Sequence, residues 1–259
     1  MASVTAGVGF PGVLAAEWTK LTGLRSSLWV AVGTVASAGL LAYGLGMFAR
    51  FGDGRTGVAL VVAGLPFAQL GALVLGVLVG VGEYSAGTAT ATFTAVPRRL
   101  PVLGAQALTT LAVSLATAVA ALAASSLVTS GQRAALGLAL DLADHETLRV
   151  LAGCALYLTS LALLGLGIGA LLRHPAAALV GSVLLVVVVD HLLASNPGRV
   201  TDTVRALLPS VGQRLVLDEA HLATLDPPLG LWTVTLVLGL WVVGALAAAA
   251  YRLLRHDVT

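Results

Sequence analysis

Few residues in this chain combine a reactive type with a telling spacing. Asp190 and His191 are adjacent near the end of a long apolar run. An aspartate at mid-membrane costs about 2.5–3.5 kcal/mol, so one found in a spanning run marks an ion or substrate route unless it reaches water. Asp190 stands only about a helical turn from Ser195, which gives it that escape. Thr110, Ser114 and Thr117, followed by Ala121, recur at helical spacing on one face. Such a stripe either lines a pathway or packs a neighbouring helix, its hydroxyls bonded back to their own backbone. A third group lies in the stretch GEYSAGTATATFTAVPRR at 82–99, between two apolar runs: Glu83, Tyr84, Ser85, Gly87, Thr88, Arg98 and Arg99. Its charges suit ionic contacts with a partner or with lipid phosphates rather than hydrocarbon.

Catalytic chemistry is not visible. The histidines at 145, 174, 191, 221 and 256 are scattered and do not join carboxylates at metal-ligand spacing. His145 has Asp144 and Glu146 beside it, but sequence neighbours on a helix point apart. Cys154 is the lone cysteine, so no intrachain disulfide and no thiolate metal site is expected. There is no GxxxxGK[ST] phosphate loop. The glycines of GLGIG at 165–169 sit inside an apolar run with no strand before them. They, with Gly76 and Gly80, read as sites of close helix packing. The expectation is a chain with no catalytic residues, metal or cofactor of its own and no nucleic-acid partner, whose work is driven by a partner or an ion gradient.

These residues are held by elements that belong in lipid. Apolar residues make up 58% of the chain and charged ones 10%, where a soluble domain carries about a quarter charged. The apolar runs are continuous rather than alternating, which implies helices and not a barrel. At roughly 20 residues per crossing, spans are expected at 28–48, 58–81, 102–128, 148–172, 176–194 and 229–254. Pro66 should kink the second. Before them, residues 13–27 carry Leu14, Trp18, Leu21 and Leu28 on one helical face, with Glu17, Lys20 and Arg25 off it. That pattern fits an interfacial helix with Trp18 at headgroup level. The lead-in lacks the basic start and short apolar core of a signal peptide, so the first span is expected to be retained. In 195–228, Val200, Val204, Leu207, Leu208 and Val211 recur between prolines, so short helices that dip into or cap one leaflet are expected.

Six spans place both termini on one side. The basic residues do not say which. Lys20, Arg25, Arg98, Arg99, Arg173, Arg252 and Arg255 fall on one side, and Arg50, Arg55, Arg133, Arg149, Arg199, Arg205 and Arg214 on the other. The positive-inside rule is balanced. Lys20 is the only lysine among these, a usage in keeping with a high-GC bacterial genome.

Several stretches carry a resemblance. AEWTKLTGLRSSLW, with Glu17, Trp18, Thr19, Lys20, Leu21, Arg25, Ser26 and Trp29, is similar to the opening of type-2 ATP-binding-cassette exporter permeases of actinobacteria. The 82–99 stretch resembles the segment those permeases carry after their second span, at Glu83, Tyr84, Gly87, Thr88, Pro97, Arg98 and Arg99. Leu208, Pro209, Ser210, Gly212 and Gln213 resemble their long outer segment, and the basic ending with Asp257 and Val258 their tail. Thr90 and Gln106 depart from it, since many relatives have basic residues there.

The resemblance implies an all-α, polytopic membrane protein of six transmembrane helices, in the bacterial plasma membrane, with both termini cytoplasmic. It implies that 13–27 is an elbow helix carrying Glu17, Trp18, Lys20 and Arg25. It makes 83–100 a cytoplasmic coupling segment in which Glu83, Tyr84, Ser85, Gly87, Thr88, Arg98 and Arg99 meet the ATPase, and 195–228 an extracellular re-entrant segment. The partners it implies are cytoplasmic ATP-binding-cassette ATPase subunits, which hold ATP and Mg, and a second permease, either a copy of this chain or a paralogue. Thr110, Ser114, Thr117 and Asp190 would border the substrate path. The alternative is a self-sufficient secondary transporter or channel driven by a gradient through Asp190, although no internal repeat favours it.

Overall fold

One helix, His145–Leu172, runs through the middle of the protein, and the other elements are arranged around it. The computed structural model describes residues 9–50, 52, 54–85, 99–222, 225 and 229–255, with backbone alone at 83–85, 99 and 220. In chain order the helices are α1 (Phe10–Gly23), α2 (Arg25–Gly46), α3 (Gly57–Val62), α4 (Leu65–Ser85), α5 (Arg99–Val128), α6 (Ser130–Ala135) and α7 (His145–Leu172). Then come α8 (Pro175–Val183), α9 (Val189–Ala194), α10 (Arg199–Leu207), α11 (Glu219–Leu222) and α12 (Leu231–Arg255). A π-helical turn, Leu184–Val188, joins α8 to α9, and a 3-10 helix, Pro209–Val216, follows α10. No strand occurs among the described residues.

Six helical stretches are long and apolar enough to cross a membrane: Arg25–Gly46, Leu65–Gly82, Leu100–Val128, His145–Leu172, Pro175–Ala194 and Leu231–Arg255. They fall on the six runs expected from the sequence, with shifted ends. In the spanning window of α7, 72% of residues are buried, against 50% in α4 and 17% in α12, which makes α7 the axis and α12 a peripheral helix. Its start is fixed by Asp144, whose carboxylate accepts the Thr147 N–H at 2.9 Å as an N-cap. Its end is fixed by Arg173, in the left-handed conformation at φ 58°.

The main seam lies between α4 and α7. A Cβ on Gly76 would strike the Ala162 carbonyl oxygen, and one on Gly80 the Leu166 carbonyl oxygen. From the other side, a Cβ on Gly165 would lie 2.7 Å from the Leu73 oxygen and one on Gly169 2.9 Å from the Val77 oxygen. Two glycine pairs thus let the backbones touch. In a lipid-like surround this contact matters more than apolar burial, because lipid tails are as apolar as leucine. Leu73, Leu161, Leu164 and Tyr157 fill the core beside it, each with no exposed surface.

Several expected boundaries are corrected. The helix expected at 13–27 is Phe10–Gly23. It stops because Leu24 turns extended, with φ −80° and ψ 116°, so Arg25 opens α2 instead. The second expected span is two helices. The break falls at Ala63 and Gly64, ahead of Pro66, which sits in the first turn of α4, where a missing backbone donor costs nothing. Gly64 is required at the break, since a Cβ there would meet the Ala38 carbonyl of α2. The polar loop expected after α5 contains the short α6, tied back when the Gln132 amide donates to the Tyr43 carbonyl at 2.9 Å.

The expected 195–228 segment is helical in its described part, and its 3-10 helix is buried. Pro209, Ser210, Val211, Gly212, Leu215 and Val216 are enclosed against α7 and α12. At Gly212 a Cβ would run into the Tyr157 ring, so a larger residue would lift the segment off the bundle.

Candidate functional site

The densest buried polar chemistry lies where the 3-10 helix meets α4, α7 and α9. Gln69 of α4 is 3% exposed, and its Oε1 accepts the Tyr157 hydroxyl at 3.1 Å and the Gln213 amide at 3.3 Å. Asp190 of α9 is 8% exposed. Its Oδ1 accepts Arg205 Nε of α10 at 3.1 Å and Ser210 Oγ at 3.0 Å. Beside them the Arg214 guanidinium is lowered from its usual value by burial and by the like charge of Arg205, against Asp190 and Asp202. Each of these groups is bonded within the protein, which suits a staple between elements rather than a group waiting for a proton.

Sequence reasoning named Asp190 alone of this cluster as a site residue. Gln69 and Tyr157 carried a readable signal, a lone amide and a lone phenol in spanning runs. Ser210 and Gln213 were marked only through the resemblance of the outer segment, and Arg205 not at all, because the chain reversal after α9 is what brings them to Asp190 and Gln69.

Thr110 and Ser114 of α5 are buried and Thr117 is partly so. Ser114 donates to the Leu111 carbonyl at 3.2 Å and Thr117 to the Val113 carbonyl at 2.8 Å. Ser114 and Thr117 share a void of about 10 Å³ with Thr34, Gly71 and Leu158, room for one water at most. The structure packs this stripe against α2, α4 and α7, while Asp190 is bonded to Arg205 and Ser210 of the outer segment. A larger groove, about 490 Å³, lies between α7, the α8–α9 segment and α12, and the residues lining it are apolar apart from the Trp241 ring nitrogen, which donates to the Leu207 carbonyl at 2.7 Å.

In α1 Leu14 and Leu21 pack inward as expected, but Glu17, expected off that face, is buried with them. Glu17 is buried with Val13 and Leu21, at 5% exposure, while Trp18 is 47% exposed. The reason is tertiary: Val13 and Leu14 pack on Val102 and Ala105 of α5, which turns Glu17 inward. Lys20 answers it, Nζ to Oε1 at 2.7 Å. Arg25 is exposed at the first position of α2.

Glu83, Tyr84 and Ser85 form the last turn of α4 and Arg99 the first residue of α5, as backbone. Gly87, Thr88 and Arg98 lie outside the described residues. Among the described residues no cluster of histidine, cysteine, aspartate and glutamate could hold a metal ion. Comparison with protein-family models, with curated proteins and with solved structures finds no match to this chain.

Proposed function

We propose that this chain is the transmembrane subunit of an ATP-binding-cassette exporter in a bacterial plasma membrane, providing half of a substrate pathway. The observation that carries the reading is one of placement. α1, the end of α4 and the start of α5 lie together at one end of a bundle with six spanning-length helices, and 83–100 connects the latter two. A partner ATPase docked at that end would push on the amphipathic α1 helix and on the α4–α7 seam at once. Both termini and the 83–100 segment are then cytoplasmic, α1 is the elbow helix, and α10 with the 3-10 helix forms the outer cap. ATP and Mg belong to the partner, and a second permease completes the pathway.

A gradient-driven reading rests on Asp190, and the bonds from Arg205 and Ser210 leave that carboxylate poorly placed to cycle a proton. The test is purification from the native membrane. A cassette ATPase should co-purify, and disabling its nucleotide site should abolish export. ATP hydrolysis by the purified chain alone, or labelling of Ser85→Cys from outside intact cells, would overturn the proposal.

A further inference from the structure

At the end of the bundle where α4 finishes, a cavity of about 200 Å³ opens between α1, the first turn of α2, the last turns of α4 and the second turn of α5. Glu17, Lys20, Ser26, Ser27 and Gln106 form its polar wall. Leu24, Leu78 and Val79 form its apolar wall, which continues into the spanning parts of α2 and α4.

The polar wall is built but incompletely satisfied. Lys20 bonds Glu17 Oε1, and among the described residues nothing donates to Oε2. Gln106 is 6% exposed, and its side-chain amide bonds to none of the described residues. Ser27 is 5% exposed, and its hydroxyl is likewise unbonded. None of the three is a fully enclosed orphan, so each turns its polar atoms to the cavity, where they offer donors and acceptors to whatever fills it.

We propose that this cavity holds the headgroup of a phospholipid with a primary ammonium, that is, phosphoethanolamine. The inference rests on the chain spanning a membrane but not on its pairing with an ATPase. Among the described residues the wall carries one carboxylate and one ammonium, a pairing that suits a zwitterion better than an anion. The ligand's ammonium donates to Glu17 Oε2 and to the Gln106 carbonyl oxygen. Its phosphate accepts from the Ser26 and Ser27 hydroxyls, the Gln106 amide N–H and the half-open Lys20 at the rim. A trimethylammonium headgroup has no N–H to give. The acyl chains leave along the apolar wall, and α1 and α2, which border the cavity, carry exposed Trp18 and Trp29, aromatic residues of the kind found at headgroup level.

The test is native mass spectrometry of the delipidated full chain, with phosphatidylethanolamine, phosphatidylcholine and phosphatidylglycerol of identical acyl chains. The expected result is that phosphatidylethanolamine binds about tenfold more tightly than phosphatidylcholine, the worth of one charge-assisted hydrogen bond. Glu17→Gln should erase that preference while the protein stays folded by circular dichroism. If that variant does not fold, Gln106→Leu carries the same expectation. Equal binding of the two zwitterionic lipids by the wild type overturns the proposal, as does stronger binding of phosphatidylglycerol. Displacement of the lipid by equimolar free glycerophosphoethanolamine would show a soluble-ligand site and also overturn it.

Discussion

Asp190 and Arg205 meet fifteen residues apart across a reversal of the chain, Oδ1 to Nε at 3.1 Å, and Ser210 closes the same carboxylate oxygen at 3.0 Å. The pair ties α9 to α10, and through Ser210 to the 3-10 helix that lies on Tyr157. The carboxylate singled out in the sequence thus fastens the segment over one end of the bundle.

Removing one member should therefore cost stability rather than activity. Arg205 is about a third exposed on its side chain and Asp190 far less. The loss for Asp190→Ala should lie between that of a surface pair and a fully buried one, about 2 kcal/mol. Asp190→Asn keeps an acceptor for Ser210 and should lose about half as much. Thermal unfolding in detergent checks the first, and a D190A/R205A double variant should cost less than the sum of its singles.

The α4–α7 seam makes a sharper claim. Gly76→Ala inserts a methyl into the Ala162 carbonyl and should cost about 3 kcal/mol, since neither backbone can yield without moving a spanning helix. Gly239→Ala and Gly244→Ala on α12, where a Cβ meets nothing within 4 Å, should be neutral. Comparing melting temperatures of the three variants, and their monodispersity on size exclusion, tests the contrast.

How much of this was readable beforehand follows physical lines. Spanning helices were legible because hydropathy is summed over many residues, and Asp144 before α7 and Pro175 at the start of α8 mark helix starts by local chemistry alone. The interruption expected at Pro66 falls just before it, at Ala63 and Gly64: the proline has no N–H for the Val62 carbonyl, and Gly64 lets the Ala38 backbone of α2 come close. Glu17 was assigned to the solvated face because α1 was treated without α5 beside it. The Gln69–Tyr157–Gln213 bonds span up to 144 residues of sequence, and no local pattern encodes such a meeting.

Two carboxylates outside the spans are held below their ordinary value. Asp144 is held below its ordinary 3.8 first by the Thr147 backbone N–H and then by the Thr147 hydroxyl. Burial pushes Asp218 up, but the His221 backbone N–H and ring outweigh it, so it too lies below 3.8. A carboxyl lowered in the folded state contributes stability that is complete above its unfolded value and is lost as pH falls through the folded one. Wild type should therefore be more stable than Asp144→Ala at neutral pH, and the gap should close below about pH 3.8. Melting curves from pH 7 downward measure it. A gap that widens on acidification would contradict the assignment.

Tyr157 and Gln69 give the last prediction. Tyr157→Phe removes one donor and leaves Gln69 Oε1 its bond from Gln213, so the cost should be about 1 kcal/mol. Gln69→Leu removes the shared acceptor and strands both a buried phenol and an amide, for about 2–3 kcal/mol. Once Gln69 is Leu, the Tyr157 hydroxyl has no acceptor to lose. Adding Tyr157→Phe on that background should therefore recover stability rather than reduce it further. Equilibrium unfolding of the two singles and the double closes this cycle, and a double variant weaker than either single would show that the three side chains do not share one bond network.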